Sequence, residues 1–125
     1  MTDGTRQRDE QEPLRVLFCF GVTEAFFDVD TATRAQVAET IVTAYADLRA
    51  RFGLRVLGTM DDDDLQVGAT ATYPWTAYIL ADAPDLAAVR GFTNVLREFE
   101  VGPHRLWRYM KVEARVGRRL FFGSE

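Results

Sequence analysis

The chain has 125 residues, 47% of them hydrophobic and 27% charged, and a net charge of −4. This composition is typical of one soluble globular domain with its own core, and it argues against a disordered protein. No apolar run approaches the roughly 20 residues that cross a bilayer, and the acidic balance disfavours nucleic acid. Residues 1–12 contain no apolar region, so we do not expect them to act as a secretory signal. With Cys19 as the single cysteine, an intramolecular disulfide is excluded, and we expect a cytoplasmic protein with no membrane partner.

The first part of the chain predicts a tail, a strand and a helix. Residues 1–12 are polar and without periodicity, which predicts a disordered tail ahead of a single domain over 13–125. Residues 14–21, LRVLFCFG, alternate at period two with apolar side chains on both faces, so we expect a central strand that ends at Gly21. Helical spacing then predicts one long helix over 30–53, capped by Thr33 or Asp30 and closed by a left-handed Gly53.

The second part predicts two further strands, a helix and a final strand. LRVLGTM (54–60) and YPWTAYILA (73–81) are typical of strands. The second helix is expected over 82–100, with Asp82 as its cap, Pro84 in its first turn and Gly91 as a weak point. RLWRYMKVEARV (105–116) predicts a long last strand, followed from about residue 117 by a C-terminal extension.

This order, βαββαβ, predicts an α+β domain of the ferredoxin-like class. Four antiparallel strands would carry two helices on one face, because crossover connections are right-handed. The other face would be apolar and would need a cover, so we expect a homodimer in which two sheets close into a barrel. The adjacent apolar residues Leu120, Phe121 and Phe122 favour such a contact, against the alternative that they fold back on their own subunit.

Four consecutive aspartates, Asp61 to Asp64, raise the question of a metal site. A calcium-binding helix–loop–helix motif needs glycine at its sixth position, where counting from Asp61 gives Gln66 and counting from Asp62 gives Val67. Adjacent carboxylates on an extended segment also point in different directions. We therefore favour a solvated turn and expect neither a metal nor a cofactor.

His104 is the only histidine, which excludes multi-histidine metal centres. It follows Gly102-Pro103 at the start of the last predicted strand, where it is a candidate catalytic base, although an ordinary loop histidine is the commoner case. The region 105–119 holds six basic residues opposed by Glu113 alone, which suits an anionic ligand or an acidic surface; solvated strand arginines are the plainer interpretation.

The aromatic residues give the best indication of a pocket. Trp75 and Tyr78 lie in or before the third predicted strand, and Trp107 and Tyr109 share a face of the fourth by parity. Such side chains combine a flat apolar surface with one polar group, as a planar, partly polar ligand requires, but strand aromatics more often belong to a core or an interface.

Four segments carry a resemblance to a known family: LFCFGV at the N-terminus, VLGTMDDDDLQVG, YPWTAYILAD and RLWRYMKVEARVGR. Together they resemble the IacB-type proteins encoded with genes of indole-3-acetate catabolism, and the element order resembles the wider dimeric α+β barrel superfamily. The resemblance covers nearly all of the chain after the tail. It implies metabolism of a small aromatic acid, an intracellular location and a dimer, and it assigns no catalytic residue.

We therefore expect a dimer that binds a small aromatic acid, an indole-acetate derivative being one example. Trp75, Tyr78, Trp107 and Tyr109 would form the walls, with Arg108 or Arg105 for the carboxylate. Catalysis, if present, would be cofactor-free oxygenation or isomerisation, with His104 or a loop aspartate as base. The alternatives are a non-catalytic accessory protein that assists a partner oxygenase, and a structural dimer without a ligand.

Overall fold

A computed structural model describes residues 12–68 and 74–123. They form an α+β domain around a four-stranded antiparallel sheet. The sheet strands are β1 (Leu14–Val22), β2 (Arg55–Asp61), β3 (Ala77–Ala83) and β6 (Met110–Gly117), and a small hairpin is made by β4 (Glu100–Val101) and β5 (His104–Arg105). The helices are α1 (Glu24–Asp28), α2 (Thr31–Ala44), α3 (Leu48–Phe52) and α4 (Leu86–Glu98).

Strand β1 lies inside the sheet, as its sequence predicts. The spatial order is β2-β3-β1-β6, and every neighbouring pair is antiparallel. Val16 and Phe18 are fully buried in the core, together with α2 and α4 residues such as Val37 and Phe92. The rings of Phe18 and Phe92 stack with centroids 3.8 Å apart, which joins the sheet to α4 at the centre of the domain.

The predicted first helix is divided in two. Helix α2 ends at Ala44, and α3 begins at Leu48 after Asp47 adopts a left-handed conformation with φ 56°. Asp30, rather than Thr33, is the N-cap, since its carboxylate accepts a hydrogen bond from the Thr33 backbone N–H at 2.8 Å. Gly53 does close α3 with φ 70°, as predicted, because only glycine takes this conformation without strain.

Helix α4 starts later than the sequence pattern predicts. Asp85 is its cap and accepts from the Ala88 N–H at 2.9 Å, whereas Asp82 belongs to β3 and Pro84 precedes the cap. Asp82 was the wrong choice because its carboxylate is bound by Arg15 across the strands, at 2.7 Å, and is not available to a helix N-terminus. Gly91 provides the space in which Phe52 packs, since a Cβ there would lie 2.9 Å from the Phe52 ring.

Three strand predictions need correction. Strand β1 continues past Gly21 to Val22. Strand β3 was predicted from residue 73, which lies outside the described residues, and it begins at Ala77. The last strand starts only at Met110, because residues 104–105 pair in the small hairpin and Leu106–Arg108 form a 3-10 turn. Trp107 and Tyr109 therefore lie outside the strand, so the alternation of side chains along a strand does not place them on one face.

The sheet face opposite the core, called the open face below, is partly exposed in the described part of the chain, although Cys19 on this face is buried. Register places Leu17 opposite Leu80, and Tyr78 opposite both Cys19 and Met60. Leu80 and Met60 are 37% and 58% exposed. Edge strand β2 is exposed along its whole length, so the core is thinnest beneath β2 and β3.

Candidate ligand-binding site

A cavity of about 640 Å³ lies where α2 ends, above the sheet. The end of β1 supplies Phe20 and Val22, and the last turn of α2 supplies Ile41 and Tyr45. Strands β2, β3 and β6 complete a lining that is mainly apolar, with Thr59, Met60, Asp61, Thr76, Ala77, Tyr78, Ile79 and Met110. The size falls in the range of small-molecule pockets.

Tyr45 brings a polar group without a partner to this cavity. Its backbone N–H caps α2 through the Ile41 carbonyl at 3.0 Å, and its ring packs edge-on against Phe20, with centroids 5.4 Å apart. The hydroxyl oxygen is buried and has no hydrogen-bond partner within residues 12–68 and 74–123. Burial raises the pKa of Tyr45, an effect that the charge of Arg51 partly offsets, so the hydroxyl stays protonated and can donate to a ligand.

The rim of the cavity is polar and is fixed by Tyr78. Its hydroxyl lies 3.0 Å from Asp62 Oδ2 and 3.0 Å from the Trp75 carbonyl oxygen, so it ties the loop after β2 to the segment before β3. Burial first, and then the hydrogen bond to Asp62, raise the pKa of Tyr78. The Thr76 N–H donates to the Phe20 carbonyl at 2.8 Å and holds the same rim against β1.

The four predicted wall aromatics do not surround one space. Tyr78 lines the cavity, and Trp75 is half-buried next to Thr76, which also lines it. Tyr109 is only 3% exposed and packs into the core. Trp107 lies in the 3-10 turn, where the Lys111 ammonium stands 3.4 Å from its ring centroid in a cation–π contact.

The predicted cationic and basic residues also separate. Arg108 lines a neighbouring cavity of about 670 Å³ that shares Val22 with the first, and its carbonyl accepts from the Thr23 hydroxyl at 2.6 Å. Arg105 instead turns to the C-terminal end of α4, where it donates to the Arg97 carbonyl. His104 is exposed in the small hairpin, with its ring centroid 6.4 Å from that of Tyr109, and it does not line the first cavity.

The aspartate run forms a turn with local hydrogen bonds. The Asp63 N–H donates to Asp61 Oδ1 at 3.2 Å, and Asp62 accepts from Tyr78. Across residues 12–68 and 74–123, no three His, Cys, Asp or Glu side chains gather in a way that could hold a metal ion. Asp61 is the member of the run that lines the cavity, and the Asp62 carboxylate contacts the Tyr78 hydroxyl at its rim.

Sequence patterns did not identify Tyr45 and Ile41 as pocket residues, because both fit the apolar stripe of a helix that packs on a core. One signal was present: a tyrosine carries a hydroxyl that a core must satisfy. The structure shows that α2 stops at this point and leaves the space beneath β2 and β3 open, which no periodicity reveals.

Comparison with known proteins gives no relative: no family model, no curated protein and no solved structure matches the chain. In the stretches that the structure describes, no helix has the length and apolarity to span a membrane.

Proposed function

We propose that the protein binds a small aromatic acid in the cavity at the end of α2. The observation that carries this proposal is a ligand-sized, mainly apolar cavity lined by Tyr45, whose buried hydroxyl has no hydrogen-bond partner within residues 12–68 and 74–123. A buried polar group without a partner costs stability, so its retention beside a cavity is explained if a ligand supplies the missing hydrogen bond.

The aromatic part of the ligand is matched by the walls. Phe20, Ile41 and Ile79 offer apolar contacts, and the rim adds the aromatic ring of Tyr78. For the carboxylate we propose Arg108, because its cavity adjoins the first through Val22. Arg105, which donates to the Arg97 carbonyl and lies 3.9 Å from Glu100, is the weaker candidate.

The same proposal includes a ferredoxin-like domain that pairs with a second copy. The strand order β2-β3-β1-β6 and the position of α2 and α4 over one core support this fold. The exposed apolar side chains Leu80 and Met60 on the open face support a homodimer in which two sheets face each other. Both features agree with an IacB-type protein of the dimeric α+β barrel superfamily.

Two uses of the bound ligand are distinguished by experiment. In cofactor-free oxygenase or isomerase chemistry, Asp61 is the carboxylate on the rim, whereas His104 stands outside it. Delivery of the ligand to a partner oxygenase is favoured by the C-terminal extension, where Phe121 is 93% exposed. Loss of substrate with time in the purified protein supports catalysis; binding without turnover, with capture of an oxygenase, supports delivery.

Tryptophan fluorescence tests the binding proposal. Indole-free aromatic carboxylates such as phenylacetate should quench Trp75, next to the cavity, and leave Trp107 unaffected. Trp107→Phe should therefore retain the response and Trp75→Phe should lose it. Calorimetry with indole-3-acetate extends the test to indoles, whose own emission interferes.

A matched pair of variants locates the site. Ile41→Trp fills the cavity and should abolish binding, whereas Val42→Trp, on an adjacent position that is 73% exposed, should leave binding unchanged. Equal binding by both variants, or no response of the native protein to any aromatic acid, contradicts the proposed function.

A further inference from the structure

One end of the open face carries a row of opposite charges across three strands. Arg55 of β2 and Arg15 of β1 both lie opposite Asp82 of β3. Arg15 Nε is 2.7 Å from Asp82 Oδ1, and Arg55 Nη1 is 3.8 Å from Oδ2. Asp82 is 8% exposed, so this carboxylate is largely enclosed by its two arginines.

This row forms one wall of a second cavity, of about 640 Å³, called the arginine cavity here. The C-terminal extension closes it with Arg118 and Arg119, and apolar contacts come from Leu57, Leu120 and Phe122. Four guanidinium groups stand against the carboxylates of Asp82 and Glu12, a formal surplus of two positive charges. A cleft with a net positive charge attracts groups of the opposite sign.

The other end of the open face is acidic. Strand β2 runs from Arg55 to Asp61, a distance of about 20 Å for seven residues of strand. Tyr78, whose side chain belongs to the open face, holds Asp62 at this end. No ion pair joins Asp61, Asp62, Asp63 or Asp64 to a cation within the described residues. Lys111, at the same end of β6, donates to the Trp107 carbonyl at 2.9 Å, and its single positive charge is outnumbered by the four aspartates.

Two arrangements with twofold symmetry bring two such faces together with the strands of both copies aligned. If the axis runs along the strands, each arginine cavity meets the other arginine cavity, and like charges repel. If the axis runs across the strands, the strands of the two copies are antiparallel, and the acidic end of each β2 covers the basic end of the partner's β2. Charge complementarity therefore selects the second arrangement.

We propose that two copies pack their open faces antiparallel, so that the aspartate turn of each copy, Asp62–Asp64, enters the arginine cavity of the other. This inference rests on the proposed homodimer and assigns its geometry and its interface residues. Leu17, Leu80 and Met60 form the apolar centre between the two charged contacts. The turn that resembled a metal site is then a docking element for a second copy of this chain.

The area available supports the involvement of both ends. Four strands spaced about 4.8 Å apart and about seven residues long present a flat surface of roughly 450 Å². A stable interface takes about 800 Å² of accessible surface from each partner. The sheet alone is therefore small for a dimer, and the aspartate turn and the C-terminal extension supply the additional contact.

A charge exchange tests the proposal. Arg55→Glu with Arg119→Glu makes the cavity acidic, and Asp63→Arg with Asp64→Arg makes the turn basic; all four native residues are exposed, so both proteins should fold. Sedimentation equilibrium should show each double variant to dissociate at least about tenfold more readily than the native chain. An equimolar mixture should recover a heterodimer, visible by native mass spectrometry, because both contacts are then complementary.

A control and three outcomes decide the result. Arg49→Glu with Arg90→Glu makes the same change of net charge as the Arg55/Arg119 variant, but on exposed helix residues, and should leave dimerisation unchanged. Normal dimerisation of both charge variants, or variants that dissociate but fail to pair in the mixture, overturns the antiparallel arrangement and leaves the proposed dimer intact. A native chain that is monomeric at about 100 µM in low salt instead overturns the dimer itself.

Discussion

Removal of one oxygen atom from Tyr45 should stabilise the protein and weaken its ligand binding. In Tyr45→Phe the ring keeps its contacts with Phe20 and Phe92, whose centroids lie 5.4 and 4.7 Å away, so no cavity is created in the core. The change removes only the buried hydroxyl, which has no partner in the described part of the chain.

The magnitude follows from the cost of that hydroxyl. A buried polar group that loses its hydrogen bonds to water and gains none costs about 1–3 kcal/mol. We take the lower end, because the hydroxyl borders a cavity, and expect a gain of about 1 kcal/mol in the free energy of unfolding. For a domain of this size the melting temperature should rise by roughly 3–6 °C.

Ligand affinity should change in the opposite direction. A hydrogen bond between the hydroxyl and a bound aromatic acid contributes about 0.5–1.5 kcal/mol, so its loss should weaken binding by about two- to twelvefold. Urea unfolding measures the first effect, and calorimetric titration with an aromatic acid measures the second.

Tyr78→Phe is the matched control. Its hydroxyl contacts Asp62 Oδ2 and the Trp75 carbonyl oxygen, each at 3.0 Å, so this variant should lose stability. A destabilised Tyr45→Phe would mean that the Tyr45 hydroxyl has a partner inside the folded chain. The physical basis of the proposed site would then be wrong.

Three further predictions concern the fold. Gly91→Ala should destabilise the protein by about 1 kcal/mol in urea unfolding, because overpacking against Phe52 outweighs the gain of about 1 kcal/mol in helix propensity; with Phe52→Leu added, the loss should disappear. Cys19 is 1% exposed and burial raises the pKa of its thiol, so a thiol reagent should label Cys19 only when the protein unfolds. Rapid labelling of the native protein would contradict the buried position of Cys19 in the sheet. Hydrogen bonds to Thr33 lower the pKa of Asp30. The ionised Asp30 carboxylate therefore stabilises the folded protein above the ordinary Asp pKa of about 3.9, and this contribution is lost as the pH falls through the lowered value. Asp30→Asn should flatten this part of the stability–pH curve.

The main elements could be read from periodicity, because burial forces a pattern on the residues that face a core. Strand β1 shows apolar side chains on both faces and lies inside the sheet, and Gly53 ends α3 in the conformation that only glycine takes freely. The ends of the helices and strands were harder to predict from the sequence. Asp82 and Asp85 are equally good helix caps by residue type, and Arg15, 67 positions away along the chain, decides between them by binding Asp82.

The candidate site was only partly accessible from sequence. Tyr78 and Trp75 were identified by their chemistry, and the structure places both at or beside the cavity. Trp107 and Tyr109 were chosen for the same aromatic chemistry. They lie in and directly after a 3-10 turn, however, and not in the strand whose alternation would have placed them on one face.

By itself, the sequence determined the approximate positions of the four sheet strands and of helices α2 and α4, and that the domain has an α+β core, because these depend on local spacing and on the need to bury apolar side chains. Only the tertiary structure decided where α2 stops, that the hydroxyl of the cavity residue Tyr45 has no partner among the described residues, and that acidic and basic groups occupy opposite ends of one sheet face. Cavities and charge distributions depend on distances between residues far apart in the chain, and no local pattern encodes those distances.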